Sequence, residues 1–273
     1  MNRTESTPPV AKRVPHTWDR PTGPVDDPYA WLRDRDDPDT IAYLEAENAH
    51  TDQWFAGHEA LVTELFEEIK SRVQETDVAA PTPHDGWFYS TRTEEGRAYP
   101  IHCRGRTAET ATDQLILDQN REAEGHDFFD VGALEISADH RLAAWSADTA
   151  GDEHYTLRIR DIAHGHDLDD VLHDTTWAGV AWSSDSSHLF YVMADEQERP
   201  YRVMRHRLGT AQGDDVEVFA DDDERFYVGI SLTRNGDTIV ISSESKQSSE
   251  SWLAQSLPEP KQACSLCPTY TLM

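Results

Sequence analysis

The chain has 273 residues, enough for one large domain or two ordinary ones. Apolar residues make up 37% of it, with eight Trp, nine Tyr and eight Phe to fill a core, which argues against wholesale disorder. Its 52 acidic and 24 basic residues leave a net charge of -28, a surface that repels nucleic-acid phosphates and anionic lipid and so argues against both as partners.

Residues 1–28 carry Pro8, Pro9, Pro15, Pro21, Pro24 and Pro28 among polar groups, a composition that predicts an extended arm. Met1 to Val14 lacks the apolar segment of a signal peptide, and no run approaches the roughly 20 apolar residues of a membrane span. A cytoplasmic location is expected from this. Asp27-Pro28 and Asp37-Pro38 are helix-start signals, because Asp caps free N–H groups and Pro lacks one where none is needed. A helical lead-in over 29–78 follows. Ile41 and Leu44 mark the apolar side of its first helix. Val62, Leu65, Phe66, Ile69 and Val73 recur at helical steps in its second.

The period changes at Pro81. Residues 79–253 read as short strands rich in aromatic and β-branched residues, at 86–90, 114–117, 142–146, 155–159, 188–192 and 238–242, with Asn235-Gly236 as a hairpin signal. A repeat organises them. Ser137-Ala-Asp139, Ser183-Ser-Asp185 and Thr233-Arg-Asn235 each precede a strand, at offsets of 46 and 50 residues, and a weaker copy begins near Pro83. Units of this length with several strands each predict a β-propeller rather than a sandwich. The fold class expected is therefore mainly β: an incomplete propeller of about three to four blades, behind an arm and two helices. The last stretch, 254–273, loses the alternation and the acidic bias. It fits either a change of reading frame or a natural terminal tail.

The chemistry expected within the chain is sparse. Gly-x-Ser-x-Gly, Gly-x-Gly-x-x-Gly and the Walker loop are all missing, so no catalytic or cofactor-binding residue is assigned and no cofactor is expected. Cys103 reads as a buried thiol in a strand. Cys264-x-x-Cys267 offers only half of a zinc ligand set and has no βαβ context for redox work. His164, His166 and His173 read as histidines flanking an acidic loop. Asp221–Glu224 and Asp118-x-Asn120-x-Glu122 lack the spacing or the Gly of a calcium loop. No metal ligand is assigned.

The combination Asp27-Pro-Tyr-Ala-Trp-Leu-Arg-Asp34 with Tyr43-Leu-Glu-Ala-Glu-Asn48 resembles the N-terminal segment of the prolyl oligopeptidase family. The stretches Ser137–His140, Asp148–Gly151, Tyr155–Arg158, Arg199–His206, Leu208–Thr210, Asp223–Gly229 and Ser248–Leu253 resemble oligopeptidase B within it, so that the likeness covers roughly 10–253. The resemblance implies a propeller joined to an α/β-hydrolase domain and covering its active site. It also implies cleavage of short peptides, after Arg or Lys, by a Ser, Asp and His that have no matching positions here. The expected partners are therefore short basic peptides. The alternative is a non-catalytic propeller that docks on an α/β-hydrolase domain supplied in trans, or binds peptides itself.

Overall fold

Asp37 caps the first long helix and Pro38 takes its first position. In the computed structural model, which describes residues 7–256, α1 runs Pro38–Phe55 and the Asp37 carboxylate accepts the Asp39 N–H at 2.8 Å. The chain divides into two units, Met1–Gln74 and a second beginning at Glu75. In the first, strands β1 (Thr17–Trp18) and β2 (Val25–Asp26) pair as a hairpin. The Asp27-Pro28 signal produces only a 3-10 turn, Ala30–Arg33. Asp37 stands before a proline, a position that disfavours helix and keeps the turn from running into α1.

Aromatic side chains hold this arm. Trp18 Nε1 donates to the Asp27 carboxylate at 3.0 Å, Trp31 Nε1 donates to the Lys12 carbonyl at 3.0 Å, and Trp31 meets Tyr43 edge to face at 6.3 Å. The segment that carries the family likeness thus packs on itself. The second helix, α2 (Glu59–Lys70), behaves differently. Leu61, Val62, Leu65, Phe66 and Ile69 share one face, and each stays between 47% and 66% exposed.

The second unit is a series of antiparallel sheets. β3 (Asp77–Val78), β4 (Thr82–His84), β5 (Trp87–Thr93), β6 (Ile101–Gly105) and β7 (Gln114–Asp118) make the first sheet, in the order β3-β5-β6-β7 with β4 also on β5. A single helical turn, α3 (Gln119–Glu122), follows. Its N-cap is Asp118, so the candidate calcium loop at 118–122 is a capped helical turn. The next seven strands hydrogen-bond in one continuous order that β11 divides in two: the second sheet is β8 (Asp130–Ile136), β9 (Leu142–Asp148), β10 (Tyr155–Asp161) and the first part of β11 (His166–Trp182). The rest of β11 opens the third sheet, with β12 (His188–Ala194), β13 (Pro200–Arg207) and β14 (Val216–Ala220). β15 (Tyr227–Leu232), β16 (Thr238–Glu244) and β17 (Ser249–Gln255) form the last sheet. Each expected strand is present, extended by one to three residues.

β11 departs from the sequence reading. The acidic segment between His166 and His173, expected as a loop, is strand: Asp167 pairs with Arg160 and Val171 with Arg158 on β10. The register then breaks between Thr175 and Val180, and the strand transfers to β12. One 17-residue strand is therefore the last of one sheet and the first of the next. Gly179 sits at this transfer with φ +120, where an added Cβ would lie 2.4 Å from the Ile230 carbonyl oxygen of β15.

Three apolar layers lie between the four sheets. Ile116, Leu117, Phe129, Ala143 and Trp145 fill the first, and Leu157, Ile159, Leu172, Trp182, Leu189 and Tyr191 the second. Phe190, Val192, Val203, Val228, Ile230, Ile239 and Ile241 fill the third. Alternate residues of one strand serve opposite layers, as Leu189 and Tyr191 face back while Phe190 and Val192 face forward. The result is the mainly β, unclosed propeller expected. Among the described residues no helix is long and apolar enough to cross a membrane.

Candidate functional site

Antiparallel pairing sends the loops of each sheet to two ends, and each end has its own repeated chemistry. At one end are the Ser/Thr turns. Ser137 Oγ donates to Asp139 at 2.7 Å and accepts the Leu142 N–H at 2.9 Å; Ser183 does the same with Asp185 and His188 at 2.7 and 2.9 Å. Thr233 repeats the pattern with Asn235 and Thr238 at 2.7 and 3.2 Å. In all three the following residue takes positive φ: His140 at 60, Ser186 at 61 and Gly236 at 75 degrees. Successive turns touch, since Ser186 Oγ accepts the Asp139 N–H at 3.1 Å and the Ser184 N–H reaches the Ser256 carbonyl at 3.1 Å.

At the other end an acid closes the second strand and organises the hairpin loop behind it. Asp148 accepts the N–H groups of Ala150, Gly151 and Glu153 at 2.8, 2.8 and 2.9 Å. Asp195 accepts those of Gln197 and Arg199 and the Arg199 Nε at 2.8 Å. Arg199 is 7% exposed, and its Nη1 donates to the carbonyls of Asp221, Asp223 and Phe226 at 3.1, 3.1 and 2.7 Å. It thereby fixes the run 221–226 in front of the last sheet. The family-like stretches Asp148–Gly151, Arg199–His206 and Asp223–Gly229 owe much of their character to this loop architecture.

A cleft of about 740 Å³ lies at this end, lined by Glu224, Arg225, Phe226, Tyr227, Glu244 and Lys246 among others. Arg225 forks onto Asp223, whose carboxyl is held down to about 2 chiefly by that side-chain bond. Tyr227 is 54% exposed on the wall. The lining sets Glu224 and Glu244 beside Arg225 and Lys246, so acidic and basic groups balance next to an aromatic face.

The depressed carboxylates carry a pH prediction. Burial opposes ionisation of Asp139, Asp148, Asp185 and Asp195, but hydrogen bonds from backbone N–H groups and side chains outweigh it and lower each pKa. His102 and His188 are also lowered, chiefly by burial, which favours their neutral form. In both sets the unfolded chain binds more protons, so stability rises with pH across each window. The urea midpoint should therefore decline in two steps on acidification. The first begins below about 6.5 from the histidines, the second below about 4 from the carboxylates. A midpoint unchanged between pH 7 and pH 3 would contradict these assignments.

The residues singled out from sequence are not brought together. Cys103 is buried as expected, at 2% exposure, and its thiol is pushed up by burial. His164 bonds Asp161 at 3.0 Å in the β10–β11 turn, and His173 lies on β11 with its N–H on Gln212. Asp221 receives the Ser243 hydroxyl at 2.6 Å. Cys264 and Cys267 lie outside the described residues. Sequence reasoning missed Arg199 and the cleft, because the carbonyls that define them become neighbours only when consecutive sheets stack.

Comparison with known proteins agrees with this arrangement. The family model for the prolyl oligopeptidase N-terminal beta-propeller domain matches residues 8–270. The chain belongs to the prolyl oligopeptidase family, as its N-terminal propeller portion. The likeness is of the oligopeptidase B kind. The chain is 36% identical to dipeptidyl aminopeptidase BI of Pseudoxanthomonas mexicana, over 90% of its own length and 36% of the relative's. It is 31% identical to protease 2 of Moraxella lacunata, over 89% and 36%. Oligopeptidase B of Trypanosoma brucei superposes with a TM-score of 0.86 at 31% identity, and that of Leishmania major with 0.88 at 28%. Each of these comparisons covers 97% of this chain and 40% of the other. The chain thus spans little more than a third of the relatives it matches.

Proposed function

We propose that this chain serves as the access-limiting propeller of an oligopeptidase B-like serine peptidase that cleaves short peptides after Arg or Lys. The observation that carries the reading is the superposition on oligopeptidase B along 97% of this chain but only 40% of that one. Peptide hydrolysis needs a nucleophile, a base and oxyanion donors acting together, and the described residues contain no such set. Catalysis in this reading belongs to an α/β-hydrolase domain. The net charge of -28 favours basic peptides at the propeller.

The purified 273-residue chain should therefore leave a fluorogenic Arg-containing dipeptide uncleaved. Hydrolysis that a covalent serine reagent abolishes would overturn the assignment of catalysis to other residues. The exposed face of α2 favours a second reading, in which the hydrolase is supplied in trans. Its row of apolar side chains has the form of a docking surface. Co-purification with a separately expressed hydrolase portion of the same family, with activity restored, would select that reading. Failure to associate would leave the hydrolase in the same polypeptide.

A further inference from the structure

The geometry points to a zinc-binding site made by His84, Asp85 and His140 that ties the first sheet of the propeller to the second. His84 ends β4, and Asp85-Gly86 is the two-residue turn into β5, with φ of 45 and 79 degrees at its two positions. His140 is the positive-φ residue of the turn between β8 and β9. One ring nitrogen of each histidine and a carboxylate oxygen of Asp85 lie within 4.8 Å of one another, and the two rings are 5.3 Å apart.

His140 carries the argument. Its side chain belongs to a residue only 7% exposed, and Nε2 is buried without a hydrogen-bond partner among the described residues. A buried ring nitrogen is seldom left so. At the equivalent junction one sheet further on, the positive-φ residue Ser186 uses its side chain to bridge back to the preceding turn at Asp139. His140 stands in the same relation to the His84-Asp85 turn, and there the bridge lacks its middle member.

The donor set suits the ion. Two imidazoles and one carboxylate are borderline and hard ligands of the kind zinc takes, with a fourth position left for water. Tetrahedral zinc brings its donors to about 3.3 Å from one another, so His84 and Asp85 must close in on His140. Both are exposed, His84 at the end of β4 and Asp85 in the turn that follows, and their side chains have room to do so. The other ring nitrogen already has its support: the Tyr89 hydroxyl lies 2.6 Å from His140 Nδ1. With Nδ1 held by Tyr89, Nε2 is the ring nitrogen left to meet a metal. Tyr89 is thus a positioning residue. Arg104 donates to the His140 carbonyl, lies 3.8 Å over the Trp87 ring and also bonds Tyr89.

The test is zinc titration of the full chain by calorimetry, with cobalt as a spectroscopic substitute. One equivalent should bind with an enthalpy that magnesium does not reproduce, and cobalt should give the visible absorption of a four- or five-coordinate site. Tyr89→Phe should weaken binding by about 10- to 100-fold and shift the cobalt spectrum, and His84→Gln should weaken it at least as much. Asp85→Asn tests the carboxylate. Both ligand variants are at exposed positions, so folding is retained even where His140→Asn fails. A Cys264→Ser/Cys267→Ser variant and a His164→Ala/His166→Ala variant should bind as the parent does. No stoichiometric binding, or binding that survives H84Q and D85N, or binding lost with the cysteines or with His164 and His166, would overturn the site.

Discussion

Replacing His206 by leucine is expected to lower the unfolding free energy by about 3–5 kcal/mol, the cost of leaving buried charge without its partner. The His206 side chain is fully buried, with Nδ1 2.7 Å from Asp215 and Nε2 2.9 Å from Asp170. Both nitrogens face carboxylate oxygens. Asp170 also takes the Gly209 N–H at 2.6 Å, and Asp215 takes the Tyr191 hydroxyl at 2.8 Å. The network therefore joins β11, β12, β13 and the segment before β14. Without the imidazole two buried carboxylates confront each other. Thermal unfolding by circular dichroism should show a midpoint lower by roughly 10 °C. Adding Asp170→Asn and Asp215→Asn to the leucine variant should restore part of the loss, because the damage lies in the unpaired charge. A single variant within about 1 kcal/mol of the parent would mean that the network does not hold these strands.

Phe190→Ala should cost a similar amount, about 3–5 kcal/mol, by a different route. Its ring is fully buried between the third and fourth sheets, among Val203, Val228, Ile230, Ile239 and Ile241. Truncation removes buried apolar area and opens a cavity in a layer that a single three-stranded sheet completes. The loss should therefore be local before it is global. Hydrogen exchange should accelerate over β15, β16 and β17 more than over β8, β9 and β10. Equal acceleration in both regions would show that the sheets unfold as one unit.

Much of the fold was open to sequence reading, because it rests on local chemistry. Asp37 and Pro38 start α1 whatever surrounds them. Ser137, Ser183 and Thr233 fold their turns through bonds to residues two and five positions on, so the repeat shows at short range. Strands 142–148, 188–194 and 238–244 announce themselves through aromatic and β-branched content. The 3-10 turn at Ala30–Arg33 and the strand character of His166–Trp182 did not. The first ends where Asp34 turns to extended backbone. The second is polar along its first part and owes its form to pairing with β10.

The candidate site was far less legible. The likeness to oligopeptidase B came from stretches that turn out to organise loops: Asp148 gathers three N–H groups, and Arg199 gathers three carbonyls. By itself the sequence determined the elements, the repeat and the absence of a nucleophile elbow, all matters of neighbouring residues. The tertiary structure alone decided which turn meets which, and so the Asp170–His206–Asp215 network and the approach of His84 and Asp85 to His140. Those contacts join positions tens of residues apart, and they exist only because apolar layers such as that around Trp145 and Phe190 stack each sheet against the one before it.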